Sequence, residues 1–244
     1  LFLSGARVFF MNKERKERKK LTRKPPKKIY ALPAMTIRYG NVFRQAGFQF
    51  EETFVSLYEE YPVDSEIIYS IAGEKKGKWI GIAPFATYQG KVYPEDKMKE
   101  VICALSRQQD VTLFLLGGKG DEEAILDQWA LQYVNTKNLA GKYSLDQELT
   151  MISQLDVLIS MDSANMHFAS LVGTPVISIW GATHPFAGFY GYRQSSDGAI
   201  QIDLSCRPCS IFGTKTCYRG DWACTNEISH EHVVDKVNKY LNKE

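Results

Sequence analysis

The feature that most constrains the fold of this chain is a regular alternation of short apolar runs and helix-like segments between Trp79 and Trp180. The runs are continuous and rich in β-branched residues, which is typical of strands buried on both faces of a parallel sheet. They are WIGIA (79–83), VTLFLL (111–116), the weaker KNLA (137–140), VLIS (157–160) and VISIW (176–180). The alternation predicts an α/β fold with an open, doubly wound parallel sheet of the Rossmann-like kind.

The segments between the runs carry helix signals. Pro94 is placed to open a helix, because proline is well tolerated in a first turn. Four apolar residues then recur on one face, at Met98, Val101, Ile102 and Leu105. Ser144 with Gln147 three residues later predicts a capping box for a later helix, and a final helix is predicted from about Ser229.

Outside this alternation the chain divides into three predicted parts. They are an N-terminal remnant with a basic linker (1–70), a Rossmann-like domain (71–190) and a Cys-rich loop with a C-terminal helix (191–244). Within the first part, LFLSGARVFF (1–10) is interpreted as a strand with its approach, and residues 36–48 as a helix that ends at Gly47. Because the chain begins at Leu1 in mid-pattern, we expect it to lack much of a preceding domain.

The basic block at residues 13–28 holds ten Lys or Arg against two Glu. Such a block is usually a solvated, mobile segment. The functional alternative is attraction to an anionic surface, such as phospholipid head groups or a phosphorylated glycolipid. The net charge of +2 is close to neutral and gives no reason to expect nucleic acid as a partner.

Targeting signals are weak. No run of 18 apolar residues is present in the sequence, so no membrane-spanning helix is predicted. The N-terminal apolar stretch has no preceding basic region and no convincing cleavage site, which argues against a secretory signal. We therefore predict a cytoplasmic protein, with peripheral contact to a membrane through the basic block as the alternative.

Candidate site residues follow the strands, because ligands of open parallel sheets bind beyond the carboxyl ends of the strands. After the run at 157–160, Asp162 and Ser163 can cap a helix that carries His167, and the N-terminus of that helix would face an anion. The alternative is an ordinary helix cap with a surface histidine.

Three more loops stand at strand ends. Lys91 lies just before the Pro94 helix, where a lysine can contact a phosphate. Glu122 follows the glycines of GGKGDEE (117–123), where a carboxylate can accept hydrogen bonds from a ribose. Gly181 permits close backbone approach and Thr183 supplies a donor in GATHP (181–185), although this loop is also consistent with a simple turn. Neither GxGxxG nor GxxxxGK[ST] is present, so neither the dinucleotide fingerprint nor the P-loop applies.

Taken together, DSANMHFASLVGTPVISIWGATHP, PFATYQGKVYP and LLGGKGDEE resemble the ADP-heptose:lipopolysaccharide heptosyltransferases of glycosyltransferase family 9, which have the GT-B fold. The resemblance covers residues 75–235 well and 1–50 faintly. The positions that match the family pattern are Asp162, Ser163, His167, Gly173, Pro175, Gly181, Thr183 and Pro185. Ala164 departs from it, because glycine is usual there. The resemblance implies that this chain is the C-terminal half of a GT-B fold with a remnant of the N-terminal, acceptor-binding domain.

The resemblance also implies roles for individual residues. Lys91 and Thr183 would contact the diphosphate, Glu122 the ribose, and Asp162, Ser163, His167 and Gly181 the donor-sugar and phosphate region. Lys91 and Asp162 are the residues expected to take part in catalysis.

The reaction implied is inverting transfer of heptose, or a related sugar, from a nucleotide-diphosphate donor to a lipopolysaccharide core acceptor at the inner membrane. It needs no metal or other cofactor. A carboxylate of the N-terminal domain would act as base, so we expect this chain alone to be inactive.

Two other functions remain open. The chain is also consistent with another GT-B enzyme, such as a hexosyltransferase or a sugar-nucleotide epimerase. From a different class, it is consistent with a non-catalytic nucleotide-binding module.

The last motif along the chain is a cluster of cysteines. Four thiols, at Cys206, Cys209, Cys217 and Cys224, fall within 19 residues, enough for one tetrahedral zinc. Only the first pair has the usual knuckle spacing. The favoured interpretation is therefore free thiols, with structural zinc as the alternative.

Overall fold

The fold is taken from a computed structural model that describes residues 5–242. Its helices are α1 (Arg15–Leu21), α2 (Met35–Gln45), α3 (Ser65–Ala72), α4 (Glu95–Ser106), α5 (Asp121–Gln132), α6 (Leu145–Ser153), α7 (Ala164–Leu171), α8 (Ala223–Asn226) and α9 (His230–Leu241). Its strands are β1 (Lys78–Ala83), β2 (Val111–Leu115), β3 (Thr136–Asn138), β4 (Val157–Met161), β5 (Val176–Ile179) and β6 (Ala199–Ile200). No helix within the described range is long and apolar enough to cross a bilayer.

The six strands form one parallel sheet in the order β3-β2-β1-β4-β5-β6. This confirms the predicted α/β fold, and the five predicted strands differ from the observed ones by no more than two residues at either end. β6 was not predicted, because a strand of two residues has no pattern to detect.

Two apolar cores lie on opposite faces of the sheet, because successive side chains of each strand point to opposite sides. Ile80 and Ile82 of β1 pack with residues of α4, α5 and α9 on one face. Trp79 of the same strand and Phe114 of β2 pack with residues of α6 and α7 on the other face, where Ile68 of α3 also packs. The doubly wound arrangement follows from this burial on both faces.

The predicted helix signals are confirmed where they can be compared. Pro94 is the N-terminal cap of α4, and its four predicted apolar positions are all buried. The Ser144 hydroxyl accepts from the amide of Gln147, whose side chain accepts from the amide of Ser144. Ser229 caps α9 by accepting from the amide of His232.

The structure of the basic block differs from the mobile segment that the sequence predicts. Residues 15–21 form α1 instead of a mobile loop, and Leu21 at its end is fully buried. Lys27 Nζ donates to the carbonyl oxygens of Cys206 and Pro208, at 2.9 and 2.6 Å. Lysine and arginine are good helix formers. The buried side chain of Leu21 and the hydrogen bonds of Lys27 attach this segment to the rest of the protein.

The strand predicted for residues 1–10 is not observed in its described part. Residues 5–14 form neither helix nor strand, and residues 1–4 lie outside the described residues. The helix predicted at 36–48 is present as α2 and ends two residues before Gly47.

The order of the strands predicts a crevice at the carboxyl ends of β1 and β4. Strand order reverses between the neighbours β1 and β4, since the chain leaves β1 toward β2 on one side and β4 toward β5 on the other. Loops that leave two such strands diverge, and ligands of open α/β sheets bind in the gap.

Candidate functional site

A pocket of about 740 Å³ lies at this reversal point. The loops that follow β1, β2 and β4 form most of its wall. Its polar lining residues include Tyr88, Lys91, Lys119, Glu122, Tyr143, Glu148, Asp162, Ser163, Asn165 and His167. The structure therefore brings together five of the seven predicted site residues: Lys91, Glu122, Asp162, Ser163 and His167.

Lys91 and Asp162 form an ion pair inside the pocket, with Nζ 3.1 Å from Oδ2. The Asp162 side chain is only 5% exposed and that of Lys91 18% exposed. Close packing holds the lysine in place: a Cβ added at Gly213 would lie 2.7 Å from Lys91 Cγ. The result is a fixed ammonium group at the carboxyl end of the sheet.

The N-terminus of α7 faces the same pocket. Ser163 is the cap residue, yet its side chain makes no capping hydrogen bond and lies 3.2 Å from the hydroxyl of Ser160. Helix geometry leaves the first amides, including those of Ala164 and Asn165, without intrahelical partners. With the helix dipole they favour an anion at this point.

His167 projects from the first turns of α7 toward the pocket. Desolvation of the ring by the surrounding protein lowers the pKa of His167 from its ordinary value. The negative charge of Asp162 opposes this shift, and the positive charge of Lys91 adds to it. The imidazole is therefore largely neutral at pH 7 and has one N–H to donate.

Glu122 lies across the pocket, in the first turn of α5. Its Oε2 accepts from the amide of Gly118 at 2.6 Å, which closes the glycine-rich loop over the carboxylate. A Cβ at Gly117 would lie 3.1 Å from the same oxygen, so glycine here allows the close approach. The contact fixes the carboxylate at the pocket wall.

Gly181 and Thr183 do not line the pocket. A Cβ on Gly181 would lie 2.7 Å from the carbonyl oxygen of Gly90, and the next amide, of Ala182, donates to that oxygen at 2.7 Å. Thr183 is fully buried, and its hydroxyl has no hydrogen-bond partner among the residues described. Gly181 therefore packs against the loop that carries Lys91, and neither Gly181 nor Thr183 reaches the pocket lining.

Several lining residues were not predicted. Asn165 lies in the first turn of α7, next to the predicted Asp162 and Ser163, and its place after a cap residue was an available signal. Glu148 lies on α6, where burial raises the pKa of its carboxyl. Nothing in the sequence distinguishes Glu148 or Tyr143 from ordinary surface residues, because their role depends on the helix packing.

Arg207, outside the pocket lining, was also not predicted. It is 3% exposed, and its guanidinium group forms no ion pair within residues 5–242. Instead it donates to carbonyl oxygens of Trp180, Gly181, Thr183 and Ile202 and to Oε1 of Gln201, at 2.5 to 3.1 Å. One side chain thereby ties the loop after β5 to the segment after β6.

The four clustered cysteines line one small cavity of about 10 Å³. All are free thiols, and burial raises the pKa of Cys224 to about 11. In the part of the chain described, no group of three or more His, Cys, Asp or Glu side chains is arranged to hold a metal ion.

We predict that His184 makes stability fall with acidity. Its buried ring accepts the amide of Phe186 at Nδ1, and burial, aided by the charges of Arg207 and Lys27, lowers its pKa to about 4. The pKa of histidine in the unfolded chain is near 6.5. At pH values between about 6.5 and about 4 the unfolded state therefore binds more protons than the folded state, and the free energy of unfolding decreases as the pH falls through this range. The contribution lost between pH 7 and 5 is about 2 kcal/mol.

Urea unfolding of the protein and of His184→Asn at pH 7 and 5 tests this. The amide oxygen of asparagine can replace Nδ1 as acceptor without titrating. The variant should lose about 2 kcal/mol less than the parent over this range; equal losses would show that His184 is not responsible.

Comparison with known proteins agrees with this architecture. The family model of glycosyltransferase family 9 (heptosyltransferase) matches residues 13–216. Lipopolysaccharide heptosyltransferase 3 of Escherichia coli (strain K12) is 34% identical over 171 residues, which are 68% of this chain and 43% of that protein. The chain spans about half the length of the curated relatives it matches.

Solved structures show the same fold. The family 9 glycosyltransferase from Veillonella parvula has a TM-score of 0.67 at 19% identity, covering 86% of this chain and 60% of that one. E. coli heptosyltransferase WaaC with ADP has a TM-score of 0.61 at 17% identity, covering 88% and 60%. With a family match over most of its length and the predicted open parallel sheet, this chain belongs to glycosyltransferase family 9, the heptosyltransferase family.

Proposed function

We propose that this chain supplies the donor-binding half of a transferase that moves heptose, or a related sugar, from a nucleotide-diphosphate donor to a lipopolysaccharide core. The observation that carries the proposal is the convergence of Lys91, the α7 N-terminus and Glu122 on one pocket at the reversal of strand order. A cation and a helix N-terminus suit a diphosphate, and a carboxylate suits the hydroxyls of a ribose.

In this proposal the diphosphate lies between Lys91 and the first amides of α7. Asp162 acts through Lys91, since its carboxylate holds the ammonium group in place at 3.1 Å. Glu122 accepts from the ribose with the oxygen not used by Gly118. Phe85 and Phe168 also line the pocket and offer apolar surface to the base or sugar.

The proposed chemistry is inverting and independent of a metal ion. As the bond between the sugar and the diphosphate breaks, negative charge grows on the leaving oxygen. Lys91 and the α7 amides are positioned to stabilise that charge, because both are held before the reaction begins. His167, largely neutral, donates a hydrogen bond to the phosphate or donor sugar without adding a charge.

The acceptor is proposed from the named relatives. The curated proteins that match are lipopolysaccharide and lipooligosaccharide heptosyltransferases, and one solved relative carries ADP. We therefore propose ADP-heptose, or a close analogue, as donor and the lipopolysaccharide core as acceptor. Four basic residues of α1 are exposed, and such a cluster suits a peripheral contact with the cytoplasmic side of the inner membrane: Arg15, Lys16, Lys19 and Lys20.

Calorimetric titration with ADP, UDP and GDP tests the donor proposal. ADP should bind with a saturable isotherm and more tightly than UDP or GDP, while adenosine should bind much more weakly than ADP because the diphosphate contacts are lost. Equal affinity for ADP and adenosine, or no binding of any nucleotide to a folded protein, would refute the assignment of the pocket.

A further inference from the structure

Two arginines near the pocket have unsatisfied guanidinium groups. Arg38, in α2, is 3% exposed, and its Nε and Nη2 have no hydrogen-bond partner among the described residues. Nε of Arg18, in α1, is buried and without a partner in the same part of the chain. Buried donors of a charged group are costly to leave unpaired, and native proteins rarely do so.

Both guanidinium groups contact the sulfur atom of Met35. Arg38 Nη1 lies 3.6 Å from the sulfur of Met35, and Arg18 Nη2 lies 3.9 Å from the same sulfur. A thioether is a weak acceptor and carries no charge to offset two cations. Burial is the main cause that lowers the pKa of Arg18, and the positive charge of Arg38 lowers it further. The negative charge of Glu14 opposes this shift.

Glu14 does not neutralise the pair by direct contact. It forms no ion pair with either arginine in the range 5–242, and its Oε1 accepts instead from the side chain of Asn12 at 2.6 Å. Two like charges therefore converge with spare donors, and no carboxylate of residues 5–242 lies within ion-pair distance of them. Such an arrangement is stabilised by an anion that accepts from both groups.

The arginine pair borders the donor pocket. The Arg18 guanidinium lies 5.2 Å from the ring centre of Phe189 and 5.5 Å from that of Phe212, and both rings line the pocket. A Cβ at Gly188, next to Phe189, would lie 3.0 Å from Arg38 Nη2. Arg18 thus lies against an aromatic wall of the pocket, and Arg38 packs close to the backbone at the start of that wall.

We propose that Arg18 and Arg38 form a second oxyanion site, separate from Lys91, that takes a phosphate or carboxylate group of the acceptor. Guanidinium groups present paired donors in a plane, which suits either oxyanion, whereas the Lys91 site offers a point charge and helix amides. The assignment to the acceptor rests on the proposed function; the anion site itself does not. An anionic acceptor group bound here would stand beside the donor pocket.

NMR titration with inorganic phosphate tests the site by observing the arginine Nε–Hε signals. The protein used is the Lys91→Ala variant, which removes the competing phosphate contact, and ionic strength is held constant because exposed charge contacts are screened by salt. The signals of Arg18 and Arg38 should shift together and saturably. Arg18→Gln in the same background should weaken phosphate binding by about tenfold or more, since one charged contact is lost.

Matched variants separate this result from general charge effects. Arg15→Gln removes an exposed arginine from the same helix and should leave the phosphate affinity unchanged. Arg38→Lys keeps the charge and should weaken binding by losing the paired donors. Acetate in a parallel titration distinguishes a carboxylate ligand from a phosphate.

The proposal is overturned if the Arg18 and Arg38 signals do not saturate with either anion. It is equally overturned if Arg15→Gln and Arg18→Gln weaken binding to the same extent. Because no nucleotide is present, these outcomes do not depend on the donor proposal, which the ADP titration decides separately.

Discussion

Replacing Arg207 with leucine is expected to lower the free energy of unfolding by about 3–5 kcal/mol. The guanidinium group donates to five oxygens around it, and the residue is 3% exposed. Leucine fills much of the volume but satisfies none of these acceptors, and water has little access to them. Urea or guanidinium unfolding followed by fluorescence measures the change.

A buried charge can often be replaced by an apolar group at little cost, but here the acceptors stay behind. Arg219→Leu is the control, since Arg219 is exposed and its ion pair is with nearby Asp221. It should cost no more than about 1 kcal/mol. An Arg207→Leu protein as stable as the Arg219→Leu protein would show that the carbonyl contacts contribute little.

Replacing Lys91 with alanine should weaken ADP binding by about 10–150-fold, the range for a well-made charged hydrogen bond. Adenosine binding should change little, because the proposed contact is to phosphate. Calorimetric titration of both ligands with both proteins gives the comparison.

The control for Lys91→Ala is Lys142→Ala. Lys142 also pairs with an aspartate, Asp127, at 2.6 Å, but lies outside the pocket lining. Since Lys91→Ala leaves the Asp162 carboxylate without its partner, thermal unfolding is recorded in parallel, so that a loss of fold is not taken for a loss of affinity. Equal losses for ADP and adenosine would show that Lys91 does not touch phosphate.

The sheet could be predicted because strands that are buried on both faces consist of consecutive apolar residues, which are visible in the sequence. The run at 157–160 illustrates this, since every residue of β4 is buried. β6 and α1 could not be predicted in the same way. β6 is two residues long, and α1 docks through Leu21 and a few long-range contacts that local composition does not reveal.

The pocket was predictable to the extent that its residues directly follow strands or begin helices. Asp162, Ser163 and Glu122 are of this kind. Thr183 also follows a strand, yet it does not line the pocket, and Gly181 of the same loop packs closely against Gly90. The contacts of Arg207, Arg18 and Arg38 join segments far apart in the chain, and only the assembled fold shows them.

The central claim is that a nucleoside diphosphate binds at the reversal of strand order, and backbone amide NMR with ADP tests it most directly. We predict that the largest saturable shifts occur at Gly118 and Lys119 after β2 and at Ala164 and Asn165 in α7, with smaller shifts at Lys91. Lys91→Ala should reduce the shifts in α7 at equal ADP concentration. Saturable shifts confined to other regions, such as the cysteine loop at 206–224, with these amides unchanged, would contradict the account.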